Sequence, residues 1–196
     1  LGQPVTELSE TFLNSTDTSN IKTLIFPDSL VTLENVSIKQ VFNLENLVIG
    51  NGIKEIPDRF ANYRYNLKTV KLGNNVEKIG KNAFESCEAL TEIDLPESVK
   101  YIDDFAFIGC SFEKILIGKN VEYIGNSAIG YLNYVLSNKN YSIIKNPNYV
   151  INGYSSTAAE KYASNNKIKF VDLNTQSPDM EQTYTNIDDL IAGDIN

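Results

Sequence analysis

The sequence predicts a solenoid, a β-rich stack of short repeats in which each repeat is a strand, a sharp turn and a second short strand. Three observations carry this. Five segments align from Ile21, Leu44, Leu67, Leu90 and Phe112, at spacings of 23, 23, 23 and 22 residues. Five columns of that alignment are apolar in every segment, and one column holds only Gly and Pro. Self-similarity at a fixed period of this length is the signature of a repeat architecture.

The apolar columns define the elements. The first is Ile21, Leu44, Leu67, Leu90 and Phe112; the second is Leu24, Leu47, Val70, Ile93 and Ile115; the third is Phe26, Ile49, Leu72, Leu95 and Ile117. "LKTVKL" places Val70 and Leu72 at alternate positions, as a half-buried strand requires. Pro27, Gly50, Gly73, Pro96 and Gly118 follow, with Asp, Asn and Ser beside them, and mark the turn. The fourth column (Leu30, Ile53, Val76, Val99, Val121) and the fifth (Leu33, Ile56, Ile79, Ile102, Ile124) belong to the second strand. With 42% of the chain apolar, chance would fill all these positions on the order of once in a billion trials. One repeat cannot bury its apolar edge alone, whereas stacked repeats turn the columns into continuous ladders. At ~4.8 Å per repeat, five repeats make a body roughly 25 Å long.

"NAFESC" (82–87) and "DFAFIGC" (104–110) close two successive repeats with the same phrase. The first can form one helical turn with Asn82 as a plausible cap. Cys87 and Cys110, the only cysteines, share a column with Val41 and Leu132. They read as stacked thiols facing the core, small buried apolar residues. A disulfide between neighbouring coils is the other structural reading. With no histidine in the chain to activate it, a catalytic thiol is a poor third.

Composition narrows function further. Net charge is −8, but from Asp172 onward there are six acids and no Lys or Arg, so the body is near neutral and the tail acidic. No basic stripe is present to neutralise phosphates, so no nucleic-acid partner is expected. No apolar run is long enough for a membrane span, so no membrane insertion is expected. "LGQPVTELSE" lacks the basic start and apolar core of a signal peptide. No complete metal or phosphate-binding motif appears, and no cofactor is expected.

On these residues the chain resembles the BspA-like class of bacterial leucine-rich repeats. "LTEIDLPESVKYIDDFAFIGC" is similar to the family unit, and Ala83-Phe84-Cys87 and Ala106-Phe107-Cys110 match its closing phrase. The second repeat departs, with Phe60-Ala61 reversed, and so does the fifth, with Ala128-Ile129. The resemblance implies a right-handed leucine-rich-repeat solenoid, β-rich with short helical turns. "VTELSETFL" looks like the back half of an earlier repeat, with Val5 and Leu8 in the fourth and fifth columns. "YVINGYSSTAAEKYASNNKIKFVDL" resembles the segment that closes such arrays. It reads as a β-α-β cap: "YVI" a strand, Ser155 or Ser156 the helix cap, "IKFV" a final strand. The organisation expected is therefore an N-terminal half-repeat or cap over 1–20, five repeats over 21–134, a C-terminal cap over 135–173 and an acidic linker and tail over 174–196. The tail ends in "GDIN", which resembles the entry to a dockerin calcium loop, with Asp194 and Asn196 as its first and third ligands.

Repeat solenoids bind through their exposed faces. The outward columns of the first strand are Thr23, Asn46, Thr69, Glu92, Lys114 and Ile25, Val48, Lys71, Asp94, Leu116. One outward column of the second strand runs Thr32, Glu55, Lys78, Tyr101, Tyr123. The candidate ligand-binding residues are thus Tyr101, Tyr123, Lys78, Lys71, Asp94, Glu92 and Lys114. Exposed tyrosines anchor interfaces, although two on neighbouring coils can equally form a self-packed ladder. The resemblance implies a non-enzymatic adhesion module of a secreted or surface-displayed bacterial protein, with a host, matrix or other bacterial cell-surface partner. The alternative is an accessory module of a dockerin-linked, glycan-degrading extracellular complex with a cohesin partner. Adjacent carboxylates such as Asp103-Asp104 point apart in an extended chain and read as solvated turn charges, so catalysis is not expected.

Overall fold

A computed structural model describes Leu8, Leu13 and residues 18–34, 36, 38–135 and 141–175. It is a solenoid, as the repeat predicts. The strands in chain order are β1 (Thr23–Ile25), β2 (Asn46–Val48), β3 (Glu55–Ile56), β4 (Thr69–Lys71), β5 (Lys78–Ile79), β6 (Tyr101–Ile102), β7 (Lys114–Leu116), β8 (Tyr123–Ile124), β9 (Tyr131–Val135), β10 (Tyr141–Lys145), β11 (Val150–Gly153) and β12 (Lys169–Asp172), with the helix α1 (Ala158–Asn166) between the last two. All 25 residues of the five apolar columns are buried except Ile21, Leu24, Leu95 and Ile124, which are half-buried. The columns meet in one core in which Phe84 and Phe107 stack with ring centres 5.4 Å apart.

The second strands of the second to fifth repeats form an unbroken parallel sheet in the order β3-β5-β6-β8, with Ile56, Ile79, Ile102 and Ile124 in register, whereas segment 31–33 of the first repeat is not a strand. First strands form no such unbroken sheet. β1, β2 and β4 pair in parallel, and β7 pairs with β11 instead of with the fourth repeat. Segment 91–95 is not a strand and forms no ladder with β4 or β7. One backbone bond, from the Ser111 N–H to the Leu90 carbonyl at 3.0 Å, ties its entrance to the next coil. The interruption falls in the one repeat that is 22 residues long.

A third ladder follows the second strand. Arg59, Ala61 and Tyr63 donate their amides to the carbonyls of Lys81, Ala83 and Glu85, and Asn82, Phe84 and Ser86 donate theirs to Asp104, Ala106 and Ile108. The intervening amides close i→i−3 turns, such as Glu85 to Asn82. To alternate in this way the backbone turns left-handed twice per coil, at Arg59, Asn82, Phe105 and Ser127 and again at Tyr63, Ser86, Gly109 and Gly130. "NAFESC" therefore makes turns of 3-10 type that do not continue into a helix. Asn82 is no cap; it takes the left-handed conformation that Asn tolerates better than most residues.

Cys87 and Cys110 are free and buried. Each thiol donates to a carbonyl of the preceding coil at 3.2 Å, Cys87 to Ala61 and Cys110 to Phe84. Burial pushes the Cys110 thiol well up, which makes it inert as a nucleophile. The same column holds Arg64 in the second repeat. Its buried guanidinium donates to the carbonyls of Asn62, Ile38 and Lys39 and lies over the Phe42 ring.

The C-terminal segment closes the stack as a β-α-β unit, with one difference in the helix cap. β11 adds a rung beside β7 and β12 adds another, both parallel. The residue before α1 is Thr157, not Ser155 or Ser156; Ser156 is left-handed, and its amide donates to the Glu160 carboxylate at 2.8 Å. From α1 the buried Tyr162 sends its hydroxyl to the Ile129 carbonyl, tying the helix to the last turn strip. Between the fifth repeat and the cap, β9 and β10 form an antiparallel pair that the repeat pattern did not foresee. Gly109 binds the Tyr131 carbonyl, and Asn133 binds the Ser86 hydroxyl at 3.0 Å, so this pair lies along the turn strip of the third and fourth repeats.

Candidate functional site

Three surfaces compete for function, and the charged columns distinguish them. On the intact part of the first-strand sheet, Lys22, Glu45 and Lys68 form a ladder, with the Glu45 carboxylate 2.9 and 2.7 Å from the two ammonium groups. Hydrogen bonds from both lysines lower its pKa to about 2. Beside it, Asn46 donates to Thr23 and Thr69 donates to Asn46. On the second-strand sheet, Glu77 lies between Lys100 at 3.0 Å and Lys54 at 3.7 Å, and Lys78 bridges Glu55 at 2.7 Å and Asp103 at 3.5 Å. These alternating columns are visible at a period of 23 in the sequence, but only when exposed positions are read down the repeats as the apolar ones were.

The predicted site residues divide between two faces. Lys78, Tyr101 and Tyr123 stand on adjacent second strands, with Tyr101 and Tyr123 in register and 39% and 46% exposed. Tyr101 donates to the Glu122 carboxylate at 2.9 Å, which holds its pKa above the usual value. Lys78 is held by its two carboxylates, so part of this face is satisfied internally.

Lys71, Glu92, Asp94 and Lys114 gather at the interrupted first-strand sheet. Lys71 and Asp94 line one groove of about 420 Å3, between β4 and the fourth repeat. Glu92, Asp94 and Lys114 line another of about 350 Å3, between the fourth repeat and β7. All four are exposed, and no ion pair joins them. Asp194 and Asn196 lie outside the described residues. Among the described residues no cluster of His, Cys, Asp or Glu could hold a metal ion, and no helix is long and apolar enough to cross a membrane.

Sequence reasoning missed the third surface, a groove of about 320 Å3 between the β9-β10 pair and the turn strip. Tyr63, Phe105 and Ile143 form its apolar walls, and Lys81, Glu85 and Asn133 bring polar groups to it. Its signal in the sequence was two aromatic and β-branched runs, "YLNYV" and "YSIIK", around the polar "LSNKN".

The stacked columns, parallel ladders and closing cap agree with what comparison returns. No curated protein matches the chain. The description "BspA type Leucine rich repeat region" matches residues 9–136 and 58–189, in six copies. Leucine-rich-repeat solenoids are typically non-catalytic interaction scaffolds, often surface or adhesion related. By this match over most of its length, the chain belongs to the BspA-type leucine-rich-repeat family.

Proposed function

We propose that this chain is a non-enzymatic protein-binding module that acts in adhesion, secreted or displayed on a bacterial surface. Its partner is an extracellular protein or cell-surface ligand, and the primary contact is the first-strand face at the fourth repeat. One observation carries the reading. Elsewhere on the strand faces the charges alternate and pair from coil to coil, whereas Lys71, Glu92, Asp94 and Lys114 stay unpaired side by side. Unpaired charges of both signs on a rigid frame supply electrostatic complementarity, which sets specificity and on-rate. Tyr101 and Tyr123 supply a second contact, of the aromatic kind that anchors interfaces.

The test is saturable binding of the immobilised chain to a panel of extracellular-matrix proteins and cell-surface extracts. Lys71→Glu/Lys114→Glu and Tyr101→Ala/Tyr123→Ala variants run beside Lys161→Glu, an exposed control on α1. Binding that weakens with salt and drops about tenfold or more in the Lys71/Lys114 variant supports the reading. Silence across the panel, or equal binding by all variants, overturns it.

A further inference from the structure

We propose that the groove between the β9-β10 pair and the turn strip is a second, independent binding site, and that it takes a neutral oligosaccharide. The cavity, about 320 Å3, falls at the lower end of the ~300–1,000 Å3 typical of small-ligand sites. Its walls are rings and an aliphatic side chain: Tyr63 is 43% exposed and Ile143 48%, with Phe105 half-buried. A sugar presents apolar C–H faces and a rim of hydroxyls that both donate and accept, and this groove complements both features.

The polar groups suit hydroxyls better than they suit an ion. Lys81 forms no ion pair; its ammonium lies over the Phe105 ring, 5.9 Å from the centre. Glu85 accepts the Tyr63 hydroxyl on one carboxylate oxygen at 2.9 Å and keeps the other. Asn133 donates its Nδ2 to the Ser86 hydroxyl at 3.0 Å, and Asn82 brings a second side-chain amide to the groove. One cation, one anion and two amides leave the groove near neutral, with donors and acceptors in comparable number.

A peptide strand fits less well. Strand addition needs a free backbone edge. Here the amides of Asn82, Phe84 and Ser86 are spent on the next coil, and those of Ala83, Glu85 and Cys87 on local turns. Along the turn-strip wall of this groove, recognition therefore falls to side chains.

The experiment follows amide chemical shifts of the full chain on titration with cellotetraose, chitotetraose, mannotetraose and xylotetraose. Phe105→Asn and Tyr63→Ser place at each site the residue that the third repeat carries in the same column, Asn82 and Ser86, both left-handed there. They therefore remove the rings without asking the backbone for a new conformation. Lys81→Ala, at an exposed position, supplies a variant with no folding risk, and thermal melts check all three. The expected result is saturable binding of at least one tetrasaccharide with a Kd near or below about 1 mM. Shifts should centre on 81–86, 105–108, 131–135 and 141–145. Affinity should fall about tenfold in folded ring variants and severalfold in Lys81→Ala, with Lys161→Glu, an exposed position on α1, unchanged. No shift with any of the four sugars at about 10 mM, shifts centred elsewhere, or affinity unaltered by the three variants would overturn the proposal.

Discussion

The fourth and fifth repeats are stacked closely on one side of the solenoid and stand apart on the other. On the second-strand side Glu122 and Tyr123 donate to the Lys100 carbonyl, and Gly125 donates to Ile102 at 2.8 Å. A Cβ built on Gly125 would come within 2.4 Å of the Asp104 backbone. On the first-strand side the Gly-Pro column tells the opposite story. A Cβ on Gly73 would meet the Gly50 carbonyl oxygen at 2.3 Å, and one on Gly50 would meet Pro27 at 2.4 Å, whereas one on Gly118 would meet nothing within 4 Å. Equivalent glycines of different repeats thus sit in different surroundings because the first-strand ladder runs on below Gly73 and has parted below Gly118. Apolar columns are enough to hold the coils together, since Ile93 and Ile115 remain buried across the gap. Backbone pairing is a separate requirement, and the exposed columns track it: the Lys22–Glu45–Lys68 ladder stops at Thr91, where the sheet stops.

The largest effect expected from testing this contrast is in the core. Ile102→Ala, fully buried on the continuous ladder, should cost about 2–5 kcal/mol, whereas Leu95→Ala, half-buried at the gap, should cost about half of that or less. Urea denaturation of both variants checks it, and equal costs would break the comparison. Next comes the glycine pair. Gly73→Ala must displace backbone and should lose about 2 kcal/mol or more, while Gly118→Ala should be neutral or stabilise by up to about 1 kcal/mol. Differential melting of the two proteins reads that sign.

Hydrogen exchange sharpens the contrast without mutation. The amides of Gly80 and Asp103 are bonded to Ile56 and Ile79, while those of Asp94 and Leu95 make no backbone bond. Asp94 and Leu95 should exchange about a hundredfold faster. Slow exchange at Asp94 would mean that the ladder closes in solution.

The smallest effect is electrostatic. Glu45 titrates from an ordinary carboxylate value of 4.5 when unfolded to about 2 when folded. Its contribution is therefore present above the unfolded value and is lost as pH falls through the folded one, between about 4.5 and 2. Because the pair is exposed, salt should suppress the effect. Glu45→Gln should flatten the acid limb of the stability curve slightly at low salt. Melting temperature against pH at two ionic strengths checks it.

Much of this molecule was legible in advance. The five columns named the strand-side part of the core, because burying a periodic apolar edge requires copies of the same edge above and below. The outward columns were right for the same reason, since side chains alternate along a strand. The left-handed turn strip was not legible. "NAFESC" has the composition of a helical turn, and only backbone bonds to residues 22 positions away decide otherwise. The turn-side groove was hidden with it, because Tyr63, Phe105 and Ile143 are brought together by the β9-β10 pair that the repeat phase obscured.

By itself the sequence determined the stack, its period and the strand-side part of its core, since these follow from local patterning repeated often enough to exclude chance. Tertiary structure alone decided where the first-strand sheet parts, which charges find partners, and what the β9-β10 pair covers. Each of those depends on distances between coils, and a distance between coils is set by the packing of the whole stack, not by any one repeat.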